Sequence, residues 1–183
     1  MKKIFVTGVS GTGKTTLANA LNARGIHAIS IDETPDLCCW KNKITGERAE
    51  HEHELNQAFI DAHHWVCDKK FLQKLLDASK EDVVVLGIAS NQKEFMPLFD
   101  RVLLLQCRPE TFVERIVRRE DNDFGKDKDT RASILRWYEK FERETLQKGA
   151  ISINAEEPIE KVVEHVVREI KAISPASHSP FHP

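Results

Sequence analysis

The sequence predicts an α/β fold: three layers, α/β/α, around about five mainly parallel strands. Two observations carry this. Strand-like and helical segments alternate along the 183 residues. The clearest strands, "DVVVLGIAS" (residues 82–90) and "DRVLLLQC" (100–107), are continuous apolar runs, as expected of strands covered on both faces. The alternation implies right-handed crossovers between parallel neighbours.

The elements follow in order. "KKIFVTG" is a short apolar run ending in glycine and reads as a buried strand. "KTTLANALNARG" has helical spacing at Leu17, Ala20 and Leu21 and stops at Gly25. "IHAISID" is the second strand. Residues 33–50 show no period and contain Pro35 and Gly46, which reads as loop with short helical pieces. From His51 to Ser79 the apolar positions Leu55, Ala58, Phe59, Ala62, Phe71, Leu72, Leu75 and Leu76 follow a helical pattern. Beyond the two long apolar strands, "RPETFVERIVRRE" opens a helix with Pro109 in its first turn, followed by Glu110. "DNDFGKDKDT" is a polar loop, and residues 130–149 form an amphipathic helix ending at Gly149. "AISINA" is the last strand and "PIEKVVEHVVREIKAI" the last helix. One domain is expected over residues 1–173, with a disordered proline- and serine-rich tail over 174–183.

Composition excludes several classes. Lys+Arg (27) nearly balance Asp+Glu (29), so no bulk basic field recommends nucleic acid or a membrane surface as partner. The apolar start runs straight into glycines and Lys14, and no stretch approaches the ~20 apolar residues of a spanning helix. The expected location is the cytoplasm, as a monomer or homodimer. Cys38, Cys39, Cys67 and Cys107 contain no Cys-x-x-Cys pair and read as free thiols.

Residues Gly8-Val9-Ser10-Gly11-Thr12-Gly13-Lys14-Thr15 match G-x-x-x-x-G-K-[ST] between a strand and a helix, the context the motif requires. Glycines let backbone N–H groups turn inward onto phosphate oxygens. The following helix adds the positive end of its dipole. Lys14 supplies a cation for the β- and γ-phosphates of ATP, Thr15 a hydroxyl for Mg²⁺, and Thr16 lies beside it. A plain glycine turn would need neither the lysine nor this context. The loop alone does not define a reaction, since kinases, switches and motor ATPases all use it.

"ERIVRREDNDFGKDKDTR" narrows the choice. Arg115, Arg118 and Arg119 are spaced i, i+3 and i+4, which predicts one shared helical face, and Arg131 follows the polar loop. Such a cluster is either a solvated face paired with Glu114, Glu120 and Asp121, or a set of phosphate ligands. The phosphate loop in the same small domain favours ligands.

At this point the chain resembles the small P-loop kinases: adenylate kinase and other nucleoside monophosphate kinases, with shikimate and gluconate kinases as relatives. The resemblance covers residues 1–172 in element order, with sharp motifs only in the phosphate loop and in Arg115–Arg131. It implies that Arg115 stacks on the adenine of ATP, that Arg119 is a phosphate-binding lid arginine, and that Arg131 reaches the transferring phosphoryl group. It also implies a lid over residues 120–130 and a helical acceptor-binding insert over about 33–81.

On the acceptor side, Asp32 stands at the end of the second strand, where open α/β sheets place ligand groups. The resemblance makes it the base, or the holder of a magnesium-bound water, with Glu33 behind it. The alternative is an ordinary turn acid. The strand over 82–90 ends in Gly87 rather than an acidic residue, which gives Asp32 more weight for the metal. Gly87 would let the acceptor approach the backbone, Asn91 would hydrogen-bond it, and Trp40 and Arg48 would stack on or pair with it. Trp40 reads equally well as packing. His51, His53, His63 and His64 lack metal-site spacing and read as a solvated helix.

The expected activity is transfer of the γ-phosphoryl of Mg·ATP to a small-molecule acceptor, first a nucleotide or nucleoside, alternatively a sugar or hydroxy acid. A nucleotide-binding switch or regulatory ATPase is the reading from another class. It would need neither an acceptor insert nor lid arginines.

Overall fold

Five parallel strands form the central sheet of the computed structural model, which describes residues 1–50, 56–120 and 123–173. The chain begins with β1 (Lys3–Thr7), α1 (Lys14–Ala23) and β2 (His27–Ser30). It continues through β3 (Cys38–Asn42), β4 (Arg48–Ala49), α2 (Gln57–Ala62), β5 (His63–Cys67) and α3 (Lys69–Ala78). It then forms β6 (Val83–Leu86), α4 (Gln92–Phe95), β7 (Arg101–Gln106) and α5 (Pro109–Arg118). It ends in α6 (Lys128–Gln147), β8 (Ile151–Asn154) and α7 (Ile159–Ala172).

The sheet order is β2-β6-β1-β7-β8, with every pairing parallel. β1 is central, and its register is pinned at the opening end. Asp82, just before β6, accepts the Lys2 amide at 2.7 Å, and Asp100, just before β7, accepts the Lys3 amide at 2.7 Å. Side chains of β1 alternate between two apolar layers. Ile4 and Val6 pack with Leu17 and Leu21 of α1 and with Val162, Val163 and Val166 of α7. Phe5 points the other way, toward Leu72 and Leu76 of α3, and its ring meets Phe95 edge-on at 5.3 Å and stacks on Phe99 at 5.2 Å. A third cluster joins Val9 of the loop after β1 to Phe112 and Ile116 of α5 and Ile134 of α6. The loop therefore rests on a packed base. The three-layer α/β fold is thus the one the alternation of elements predicts.

The insert departs from expectation. Instead of loop followed by one helical stretch, it forms a three-stranded antiparallel sheet, β4-β3-β5, with α2 before β5 and α3 after it. The run "HHWVC" is a strand because Trp65 and Cys67 share one face and pair with Trp40 and Cys38 across the ladder. That tertiary pairing overrides the helical spacing of the surrounding Phe59, Ala62 and Phe71. Asp68 then caps α3 by accepting from the amides of Lys70 and Phe71. His63 and His64 lie on this strand rather than on a helix. His51, His53 and Leu55, like the 174–183 tail, fall outside the described residues. All four cysteines are free, as expected.

Candidate active site

The loop between β1 and α1 sits at the carboxyl end of the central strand, with β6 and β7 on its two sides. This is where open α/β sheets bind ligands. Its glycines are set by sterics. A Cβ on Gly8 would lie 2.7 Å from the Leu105 carbonyl oxygen, and one on Gly11 would lie 2.5 Å from that of Phe112. Gly13 caps α1 in a left-handed conformation, φ 93°. Thr12 is buried, and its hydroxyl donates to the Val9 carbonyl at 2.8 Å, bracing the turn. Ser10 is half-buried, while Thr15 and Thr16 are exposed in the first turn of α1.

The Lys14 ammonium folds back over this loop and donates to the carbonyls of Gly8 at 2.7 Å and Val9 at 3.0 Å. Burial lowers its pKa from 10.5 to about 8. The Asp32 carboxylate opposes that shift and the Arg119 guanidinium adds to it, so Lys14 feels both an acid and a second cation.

Asp32 follows β2 in a turn closed by the Thr34 hydroxyl, which donates to the Ser30 carbonyl at 2.7 Å. Its carboxylate keeps an exposed surface yet is crowded by protein, which raises its pKa. Lys14 and a hydrogen bond from Trp65 pull the other way. That bond, from the indole Nε1 to Oδ1, is 2.8 Å long. Sequence reasoning missed Trp65. The available signal was the aromatic, β-branched run "HHWVC" ahead of the Asp68 cap, which reads as a strand end facing the sheet's ligand edge. Glu33 is exposed beside Asp32.

The arginines separate. Arg115 donates to the Ala155 carbonyl at 3.0 Å, and one of its terminal nitrogens lies 3.9 Å from where a Gly13 Cβ would stand. It thus bridges the phosphate loop and the turn after β8. α5 ends at Arg118, and Arg119 turns out of the helix with ψ 148°, so the three arginines do not share the face their spacing predicts. Arg118 is exposed and pairs with Glu114 at 2.8 Å. Arg119 lies within electrostatic reach of Lys14 and donates to the Phe124 carbonyl of the segment after α5. Arg131 donates to the carbonyls of Gly125 at 3.1 Å and Lys126 at 2.5 Å and so clasps the far side of that segment. α6 starts at Lys128, capped by Asp127, slightly before the predicted end of the lid.

Three residues expected on the acceptor side have partners within the protein. The space beside Gly87 is filled by Ile31, whose Cγ1 would lie 2.1 Å from an added Cβ, so glycine here admits the packing of Ile31. The Asn91 amide is engaged at both ends by the Cys67 backbone, accepting from its N–H at 3.0 Å and donating to its carbonyl at 2.9 Å. Asn91 is therefore a strut tying the insert to the loop after β6. Arg48 lies on the edge strand β4 and pairs with Asp36, both well exposed. Trp40, by contrast, lies directly opposite Trp65, their ring centroids 5.3 Å apart.

A groove of about 710 Å³ lies elsewhere, between the ends of β7 and β8 and α6. No residue of the phosphate loop, Asp32 or the lid arginines lines it. Among the described residues, no cluster of three or more His, Cys, Asp and Glu is arranged to hold a metal, and no helix is long and apolar enough to cross a membrane.

Loop, sheet order and site together define a P-loop nucleotide-binding fold of the small-kinase type. The chain belongs to the AAA domain family, whose model matches residues 4–147. No curated protein matches it. Among solved structures, it is similar to a deoxyadenosine kinase from M. mycoides with products dCMP and dCDP bound, at 15% identity and TM-score 0.53, over 93% of this chain and 100% of that one. It is also similar to a gluconokinase from Sinorhizobium meliloti 1021, at 19% identity and TM-score 0.53, over 93% and 94%. A shikimate kinase from Acinetobacter baumannii in complex with shikimate is similar at 14% identity and TM-score 0.58, over 94% of each chain. At these identities the likeness is one of fold.

Proposed function

We propose that the protein is an ATP-dependent phosphotransferase that moves the γ-phosphoryl group of Mg·ATP to a small-molecule acceptor, with a nucleoside or nucleotide first among the candidates. The observation that carries this reading is that Lys14 of the phosphate loop feels both Asp32 and Arg119. A cation for the donor, an acid for the acceptor and a lid cation for the transferred group converge there.

The residues present fit a nucleoside triphosphate with magnesium. Glycine at positions 8 and 11 lets the loop backbone lie against the Leu105 and Phe112 carbonyl oxygens, and successive backbone amides in such a glycine-rich turn form a concavity that suits phosphate. The exposed Thr15 hydroxyl and the Asp32 carboxylate are hard oxygen donors suited to Mg²⁺ or its waters. When bound, the metal neutralises charge on the β- and γ-phosphates.

The chain's own groups then divide the work. Amides of residues 11–15 and the N-terminus of α1 hold the phosphates. Lys14 exchanges its bonds to the Gly8 and Val9 carbonyls for phosphate oxygens. Arg115 lies over the base side. Asp32 orients the acceptor hydroxyl, or the attacking oxygen of an acceptor phosphate, and accepts its proton where there is one. Arg119 and Arg131 close the lid segment, exclude water and stabilise charge on the transferring group. The deoxyadenosine kinase among the similar structures and the aromatic pair Trp40–Trp65 beside Asp32 support a planar nucleoside acceptor. The gluconokinase and the shikimate kinase support the alternative, a sugar or hydroxy acid.

The test is acceptor-dependent ADP formation with Asp32→Asn and Lys14→Met as controls. The kinase reading requires both variants to lose turnover. A switch that acts on a protein partner would turn over ATP without any acceptor.

A further inference from the structure

The insert reaches Asp32 with a hydrogen bond. Trp65 Nε1 donates to Asp32 Oδ1 at 2.8 Å, and the indole comes from β5 of the antiparallel sheet, not from the core that carries Asp32. Ring and strand are both held in place. Trp40 lies directly opposite Trp65 with centroids 5.3 Å apart, Phe59 meets Trp40 edge-on at 5.4 Å, and His63 stacks on Phe59 at 4.0 Å. The backbone of β5 is fastened to the loop after β6, where the Ser90 amide donates to the Trp65 carbonyl at 2.8 Å and Asn91 holds Cys67 on both sides. Just beyond, the Asp68 amide donates to the Leu37 carbonyl at 2.8 Å.

An indole has one donor and no acceptor, so an amphipathic ring packed this way has a single direction in which to place its N–H. Here that direction is one oxygen of Asp32. The bond engages Oδ1 from the insert side. It also stops an otherwise exposed acid from sampling the rotamers a turn residue normally visits. A catalytic group needs such support from a neighbour whose own position is locked by packing.

We propose that Trp65 is the positioning residue of the phosphotransfer site: its indole N–H fixes the Asp32 carboxylate rotamer and so ties the acid to the acceptor insert. This rests on the reading of Asp32 as the acceptor-side acid. Two replacements separate ring from donor. Trp65→Phe shortens the ring and removes the N–H. Site-specific incorporation of 3-benzothienylalanine at position 65 keeps the bicyclic shape and replaces N–H with sulfur.

The readouts are the Asp32 side-chain rotamer, from NMR couplings of the free protein, and steady-state kinetics. Kinetics use MgATP with deoxyadenosine, gluconate and shikimate as acceptors, together with the slower transfer to water. The proposal expects one rotamer in the wild type and averaged rotamers in both variants. It expects kcat to fall about 10- to 100-fold, the scale of a catalytic group misplaced by about 1 Å, while KM for ATP stays within about twofold. A single rotamer and wild-type kcat in the sulfur isostere would overturn it, because packing alone would then suffice. Asp32→Asn, measured alongside, separates the two claims. Full turnover in Asp32→Asn overturns the reading of Asp32 and this proposal with it. A dead Asp32→Asn beside a wild-type-rate isostere overturns the proposal alone.

Discussion

Ile31 occupies the space a side chain would take at Gly87: its Cγ1 lies 2.1 Å from where a Gly87 Cβ would be built. Ile31 is fully buried, and its amide donates to the Leu86 carbonyl at 2.9 Å, so the ends of β2 and β6 interlock immediately before Asp32. Gly87→Ala must push Ile31 aside. The expected cost is about 1–3 kcal/mol of stability, read in a denaturant melt, with a fall in kcat because Asp32 is the next residue along. A variant as stable and as fast as the wild type would show that the two strand ends yield easily.

Lys14→Met removes the loop's cation and leaves the glycine cradle. Loss of measurable turnover with native circular dichroism is expected. Retained turnover would remove Lys14 from the mechanism.

Lys14 also sets a pH dependence of stability. Its folded pKa, about 8, lies below the unfolded value of 10.5. Between those values the unfolded chain binds more protons than the folded one, so this group makes folding more favourable as pH rises from about 8 toward 10.5. The quantity to measure is the difference between wild type and Lys14→Met in nucleotide-free denaturant melts, which isolates this group. The wild type should gain stability relative to the variant as pH rises through this window, and a flat difference would contradict the burial argument.

The three arginines should separate in kinetics as they do in space. Arg119→Ala, which removes a cation that acts on Lys14, should lower kcat by about 10²–10³-fold, as loss of one transition-state charge partner does. Arg115→Ala should raise KM for ATP with a smaller effect on kcat. Arg118→Ala, losing an exposed pair with Glu114, should leave both within about twofold. Equal effects from all three would mean that the cluster acts only as bulk positive charge.

Asn91→Ala breaks two bonds to the Cys67 backbone and loosens β5 from the loop after β6. A stability loss of about 1–3 kcal/mol is expected, with faster amide exchange in β3 and β5. An unchanged exchange pattern would show that the insert is held elsewhere.

The core was legible because its signals are local. The run "VVVL" can only be a strand buried on both faces, and G-x-x-x-x-G-K-[ST] between strand and helix has one known geometry. Lys14 was proposed from that loop, and Asp32, Arg115 and Arg119 from their places in the chain and the resemblance. The insert was not legible, because its order comes from pairing across distance. Trp40 meets Trp65, and Cys38 meets Cys67, only after α2 has turned the chain back. The packing partners of Gly87 and Asn91 were hidden for a related reason. Their partners, Ile31 and Cys67, are remote in sequence, so a glycine and an amide near a strand end looked available for a ligand. Helical spacing likewise placed Arg118 and Arg119 on one face, although α5 ends between them.

The central claim is that phosphate moves from ATP to a small molecule at the Lys14–Asp32–Arg119 site. The most direct measurement incubates the protein with Mg·ATP and, separately, nucleosides, nucleoside monophosphates, sugars and hydroxy acids, and follows ADP and phosphorylated acceptor by mass spectrometry. One acceptor class should yield a phosphorylated product in step with ADP, and Asp32→Asn should yield none. Release of ADP and inorganic phosphate at the same rate with every acceptor and with none, and no phosphorylated product, would contradict it.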